Sequence, residues 1–150
     1  MREILFRGKQ KYGSRWVYGY LAEIETAWDR YEYGSLPTEY EEVIIRTDLL
    51  IRESVAIIPE TVGQYTGLED KNGKKIFEGD IVKDKWKGLG IVEYSENNGC
   101  WLSIPCEDGL YQCFKDGDIS ESDCSNFNVL MQQGEIIGNI HDNPELLREE

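Results

Sequence analysis

Val62-Gly63-Gln64-Tyr65-Thr66-Gly67-Leu68-Glu69-Asp70-Lys71-Asn72-Gly73-Lys74-Lys75-Ile76-Phe77-Glu78-Gly79-Asp80-Ile81-Val82 is the stretch whose reading decides the fold. It reads as a strand, a Gly-punctuated turn, an Asn-Gly hairpin signal and a second strand entered through Gly79-Asp80. Asn-Gly is strong evidence for a hairpin because both residues tolerate the positive φ that a tight turn requires. Asp70 and Asp80 stand where turns favour Asp, whose short carboxylate bonds nearby backbone N–H groups.

Strand and turn continue downstream. Gly79-Asp80-Ile81-Val82-Lys83 is followed by Gly88-Leu89-Gly90 and Ile91-Val92-Glu93-Tyr94, and Asn97-Asn98-Gly99 turns into Cys100-Trp101-Leu102-Ser103-Ile104. Phe127-Asn128-Val129-Leu130-Met131 and Glu135-Ile136-Ile137-Gly138-Asn139-Ile140 supply the closing strands, and Asp116–Asp123 reads as an acidic surface loop. A Gly-Asp-Ile-Val strand followed by a Gly-x-Val hairpin is the order of a small SH3-like barrel, whose closure removes exposed edges. Upstream, Ile4–Gly8 and Trp16–Leu21 form an opening hairpin across Lys9–Ser14, and Val43–Arg46 is a further strand. Gly34-Ser35-Leu36-Pro37-Thr38 breaks any period in Glu23–Tyr40, which reads as irregular with at most a short helix, while Asp48–Ser54 fits either a helical turn or a strand. At the end, Asn143 is placed as an N-cap and Pro144 at the first helical position of a turn that pins Leu146 and Leu147 onto the sheet. The expected architecture is mainly β, or α+β with minor helix. It has an N-terminal β-hairpin region over residues 1–60 and a C-terminal SH3-like barrel over 61–150, with an insertion near 105–126.

A chain of 150 residues with 40% hydrophobic content, four Trp, nine Tyr and four Phe is long and apolar enough to pack a core. No apolar run approaches the roughly 18 residues of a membrane span, and Met1–Arg7 is too charged and short for a signal peptide. A cytoplasmic protein is expected. Cys100, Cys106, Cys113 and Cys124 contain no C-x-x-C pair, so they read as small apolar residues on strands, reduced in that compartment.

The formal charge of −13 is unevenly placed. Residues 93–150 hold 13 acids against Lys115 and Arg148 (−11), whereas residues 1–92 hold 16 acids and 14 bases (−2). Arg2, Arg7, Lys9, Lys11 and Arg15 oppose only Glu3 over the first fifteen positions. An acidic body repels phosphate backbones, which disfavours nucleic acid. An acidic end and a basic end can instead join subunits.

Catalytic candidates are sparse. His141 is the only histidine, so two-His metal sites are excluded, and no local signature supports Cys113 or Cys124 as a nucleophile. Asp70, Glu78, Asp80 and Asp84 could approach a divalent cation, but turn chemistry already accounts for Asp70 and Asp80. The expectation is no enzyme, no cofactor and no metal. Lys83, Lys85, Trp86 and Lys87 are the candidate binding residues, with Tyr65 and Phe77 as stacking partners if the occupant is nucleic acid.

Three blocks carry a family resemblance: Arg2–Arg7 with Trp16–Leu21, Thr61–Val82, and Ile136–Ile140 with Asn143–Leu147. Together they resemble the YopX family of small phage and prophage proteins. The resemblance implies phage or prophage origin, a mainly β fold with an SH3-like C-terminal part, and self-association. It supplies no catalytic residues, and the chain departs from the family pattern between Ile104 and Phe127. The resulting expectation is a non-enzymatic, self-associating module that binds a host or phage protein. The alternatives are an SH3-like nucleic-acid-binding module, or an acidic nucleic-acid mimic that occupies a host DNA-binding protein.

Overall fold

Short β-branched runs punctuated by Gly produce strands over more than half of the described residues. The computed structural model describes residues 3–25, 41–46, 54–84, 88–106, 110–117, 125–126 and 133–148. The chain divides into two compact units, Ile4–Gln64 and Tyr65–Glu150, the second including Met1–Glu3.

In the first unit, β1 (Phe6–Lys9), β2 (Trp16–Glu25), β3 (Glu41–Arg46) and β4 (Ser54–Ala56) pair antiparallel in chain order. The start of β5 (Gly63–Glu69) lies on the other side of β1, with Phe6 opposite Gln64 and Arg7 opposite Gly63. The expected opening hairpin is present: Arg7 faces Tyr18 and Lys9 faces Trp16, and β2 then continues so that Tyr20 stands opposite Arg46. Pro59 opens a 3₁₀ turn, Pro59–Thr61, that fixes the end of β1. The Lys9 N–H donates to Thr61 Oγ1 at 2.8 Å, and the Thr61 hydroxyl donates to the Ile58 carbonyl at 2.6 Å.

The second unit contains the rest of β5, β6 (Lys75–Phe77) and a five-stranded antiparallel sheet. That sheet comprises β7 (Asp80–Asp84), β8 (Gly88–Ser95), β9 (Cys100–Pro105), β10 (Ser125–Asn126) and β11 (Glu135–Asn139), in the order β10-β9-β8-β7-β11. Adjacent apolar residues on β7 and β8 point to opposite faces, so Ile81-Val82 and Ile91-Val92 each feed two cores. On one face Val82, Val92 and Trp101 pack with Ile76 of β6, Leu68 and Ile136. On the other, Ile81, Ile91 and Cys106 meet Leu89, Ile140, Tyr111 of α1 (Leu110–Asp116), and Leu146 and Leu147 of the 3₁₀ turn Pro144–Arg148. Each of these fully buried aliphatic side chains contributes about 1.5–3 kcal/mol relative to exposure.

Several expectations change. The second strand of the quoted stretch is two strands, β6 and β7, because Gly79 (φ +81°) turns the chain between them and the Asp80 carboxylate accepts the Phe77 N–H at 2.8 Å. Gly67 (φ +87°) lies inside β5, where the register to β6 shifts between Tyr65 and Glu69, so it makes a bulge rather than a turn. The protein is mainly β, but the described strands form no closed barrel: the five-stranded sheet ends at β10 and β11. Cys113 sits on α1 rather than on a strand, since Tyr111 and Lys115, four apart, both reach Glu93 on β8. Residues 26–40, 47–53 and most of 116–132 include the stretches read as irregular, ambiguous, loop or strand, and those readings lie largely outside the described residues. Pro144 does open the terminal turn, and Leu146 and Leu147 do reach the sheet core. Asn143, however, turns its side-chain oxygen back to the Asn139 N–H at 3.3 Å.

Candidate functional site

The carboxylates of the quoted stretch are built into its turns. Asp70 is buried, and its Oδ1 accepts the N–H groups of Asn72 and Lys74, each at 2.9 Å, while Oδ2 accepts the Ile136 N–H at 3.1 Å. Burial pushes this carboxyl up, but the three backbone donors and the Lys74 charge outweigh it and hold it below the usual carboxylate range. Asp80 is likewise buried beneath the Phe77 N–H. These contacts bear out the turn role read from the sequence. Among the described residues no three His, Cys, Asp or Glu side chains are grouped to hold a metal ion. His141 enters the terminal turn with its N–H on Asn139 Oδ1 at 3.0 Å, an oxygen that also accepts the Asp142 N–H.

Of the sequence-derived binding residues, Lys83 is exposed on β7, opposite Leu89 on β8 and Glu135 on β11. Lys85, Trp86 and Lys87 lie outside the described residues. Tyr65 and Phe77 are core residues, with ring centroids 5.6 Å apart, because β5 and β6 place them directly opposite one another. They are not available to stack on bases.

The β1–β2 hairpin presents a different surface. Among the described residues the exposed large hydrophobics are Ile4, Tyr12, Tyr18, Tyr20, Tyr94 and Ile137, so this one hairpin supplies three of the six. Tyr12 is 83% exposed, Tyr18 49% and Tyr20 41%. Period-two alternation puts Trp16, Tyr18 and Tyr20 on the same face of β2, and the register adds Arg7 and Lys9 from β1. Arg7 is buried, with its guanidinium 4.8 Å from the centre of the Trp16 ring, and Lys11 lies 5.8 Å from that of Tyr12. From Ile4 to Ala22 the sequence holds four bases and no acid. That run and the Trp-x-Tyr-x-Tyr alternation were both visible in the sequence. They identify a strand, but alternation alone does not say which face meets solvent.

A polar latch holds α1 on the sheet. The Tyr111 hydroxyl donates to Glu93 Oε1 at 2.7 Å, and Lys115 Nζ reaches the same oxygen at 2.7 Å. Burial, then the Glu93 charge and its hydrogen bond, raise the Tyr111 phenol far above its ordinary value. A group raised in the folded state contributes stability that is present below its unfolded pKa of about 10 and is lost as pH rises beyond it. Alkaline absorbance titration is expected to show tyrosines that ionise only on unfolding. Tyr111→Phe should reduce that late class by one and cost about 1 kcal/mol. If the late class were unchanged by Tyr111→Phe, the latch would be wrongly placed.

Among the described residues no helix is long and apolar enough to cross a membrane. The family model described as YopX protein matches residues 5–148. No curated protein matches the chain. Among solved structures the chain is similar to protein EF1440 from Enterococcus faecalis, at 26% identity and a TM-score of 0.47, over 98% of this chain and 99% of that one.

Proposed function

Because the chain belongs to the YopX family, we propose that it is a non-enzymatic, self-associating module of phage or prophage origin that binds a host or phage protein in the bacterial cytoplasm. The observation that carries this reading is the separation of charge along the chain. Four bases and no acid occupy residues 4–22, while residues 93–150 carry −11. Complementary patches of this kind steer encounter and fix register between protein surfaces. The turn roles of Asp70 and Asp80 support the non-enzymatic part, since their oxygens hold backbone donors rather than facing an open site.

Size-exclusion chromatography with light scattering, at low and high salt and with the 260/280 nm absorbance ratio recorded, tests the proposal. The expected result is an oligomer free of nucleic acid that dissociates as salt rises, because exposed charge pairs are screened within about 8 Å at physiological ionic strength. A monomer under all conditions would remove self-association. Nucleic acid that co-elutes and is stripped by salt would favour the alternative, with Lys83, Lys85, Trp86 and Lys87 as its first test site. A stoichiometric metal found by elemental analysis would reopen an enzymatic reading.

A further inference from the structure

We infer that Asn72 is a site of spontaneous covalent modification. In the folded protein its side-chain amide is lost as ammonia, at a rate set by opening of the turn between β5 and β6.

The chemistry is that of an Asn-Gly pair. The Gly73 backbone nitrogen attacks Asn72 Cγ, and the new C–N bond closes a five-membered succinimide. The nitrogen's proton goes to the departing amide, which leaves as ammonia. Water then opens the ring at either carbonyl. The products are an aspartyl linkage and an isoaspartyl one, whose backbone runs through the side chain. Gly favours the attack because it has no Cβ to obstruct the approach, and Asn is among the thermolabile residues of proteins.

The chain holds two such pairs, Asn72-Gly73 and Asn98-Gly99, and their surroundings differ. Asn72 and Gly73 are exposed, and among the described residues the Asn72 side chain has no hydrogen-bond partner. Asn98 is exposed too, but it makes a further interaction, and its turn closes on the fully buried Ser95. Ser95 Oγ and the Ser95 carbonyl accept the Asn98 and Gly99 N–H groups at 3.0 and 2.8 Å. Charge also separates the pairs. The attacking nitrogen is anionic, so a nearby ammonium favours it and a carboxylate opposes it. Lys71 and Lys75 each meet a carboxylate at 2.6 Å, which leaves Lys74 to supply that effect at Asn72. Beside Asn98 the charged residue is Glu96.

Asp70 is the gate. In the closed turn the Gly73 N–H donates to the Asp70 carbonyl at 2.9 Å, and Asp70 Oδ1 holds the N–H groups of Asn72 and Lys74 on either side. Attack therefore requires local opening of the turn, which does not require global unfolding. The Asp70 carboxylate also opposes an anion on the Gly73 nitrogen. The product acts back on the same turn. An isoaspartyl linkage lengthens the backbone between positions 72 and 74, which displaces the Lys74 N–H from Asp70 at the hairpin end tied to Ile136.

The test incubates full-length wild type, Asp70→Asn, Lys74→Glu and Asn72→Ser at neutral pH, with circular dichroism to confirm folding and urea-unfolded wild type as the reference. Peptide mapping by mass spectrometry reads conversion at positions 72 and 98. The unfolded chain is expected to convert at both, and folded wild type more slowly, at 72 before 98. Asp70→Asn should speed position 72 by about tenfold, equivalent to about 1.4 kcal/mol in the opening equilibrium, without changing position 98. Lys74→Glu keeps every backbone bond of the turn and should slow position 72. Aged wild type should unfold at lower urea than fresh protein, whereas Asn72→Ser aged alongside should not. Conversion at 98 first overturns the site, as does no conversion at 72 while the unfolded chain converts completely. A rate at 72 that neither Asp70→Asn nor Lys74→Glu moves overturns the gate.

Discussion

Asp70→Ala is expected to destabilise the protein by about 3 kcal/mol, because it leaves three backbone N–H groups without their acceptor. The Asn72 and Lys74 donors belong to the hairpin turn, but the Ile136 donor lies 66 residues away on β11. One carboxylate therefore closes a local turn and also ties it to an edge strand of the sheet. Asp70→Asn separates these roles. Its amide oxygen can keep the two turn donors, whereas its NH₂ would face the Ile136 N–H, so a loss of about 1–2 kcal/mol is expected. The pH dependence has a definite sign. A carboxyl held low in the folded state contributes stability that is present above its unfolded pKa, about 3.9, and is lost as pH falls through the folded value. Urea unfolding at pH 7 and at about pH 3 should thus show a smaller penalty for Asp70→Ala at the acidic end. An equal penalty at both would mean that the charge on Asp70 adds nothing to its hydrogen bonds.

The contrast between Asp70 and Ile136 marks what the sequence could reveal. Asn72-Gly73 announces its own turn, and the turn chemistry of Asp70 needs only its neighbours. The bond to Ile136 depends on β11 lying beside β7, a long-range pairing with no local signature. The reversal at Gly79, read from the sequence only as the entry to a strand, has a related cause. A Gly inside a strand pattern can mark a bulge, a close approach or a reversal, and only the placement of β6 and β7 in different sheets decides for reversal. The seven-residue helix α1 is too short to carry two turns of amphipathic pattern, and it is held by Glu93 on a strand rather than by its own propensity. In the hairpin, the Trp16-Val17-Tyr18-Gly19-Tyr20 alternation correctly predicts a strand. Ordinary burial would put the aromatic side inward, yet Tyr18 and Tyr20 face solvent. An aromatic row turned outward is where local pattern and burial disagree, and such disagreements concentrate at functional surfaces.

Ile91→Ala should have the largest effect of any single truncation on this sheet, about 4 kcal/mol, as expected for deleting a fully buried aliphatic side chain that leaves a cavity. Ile91 lies opposite Ile81 on one side and Ile104 on the other, and all three are fully buried, so the rigid ladder leaves little room to collapse. Its core is also the one that seats Tyr111, Leu146 and Leu147. The damage should therefore reach α1 and the terminal turn, and the late ionisation of Tyr111 should move to lower pH. Val92→Ala provides the control. Its side chain enters the opposite core with Ile76 and Trp101, so it should cost stability while leaving Tyr111 titrating as before. Ile91→Val, which removes one methylene, should cost about 1 kcal/mol. Chemical unfolding combined with alkaline titration of the three variants separates the two cores. If Val92→Ala shifted Tyr111 as far as Ile91→Ala does, the two faces of the sheet would not be independent layers, and the alternation of Ile91 and Val92 between them would have to be abandoned.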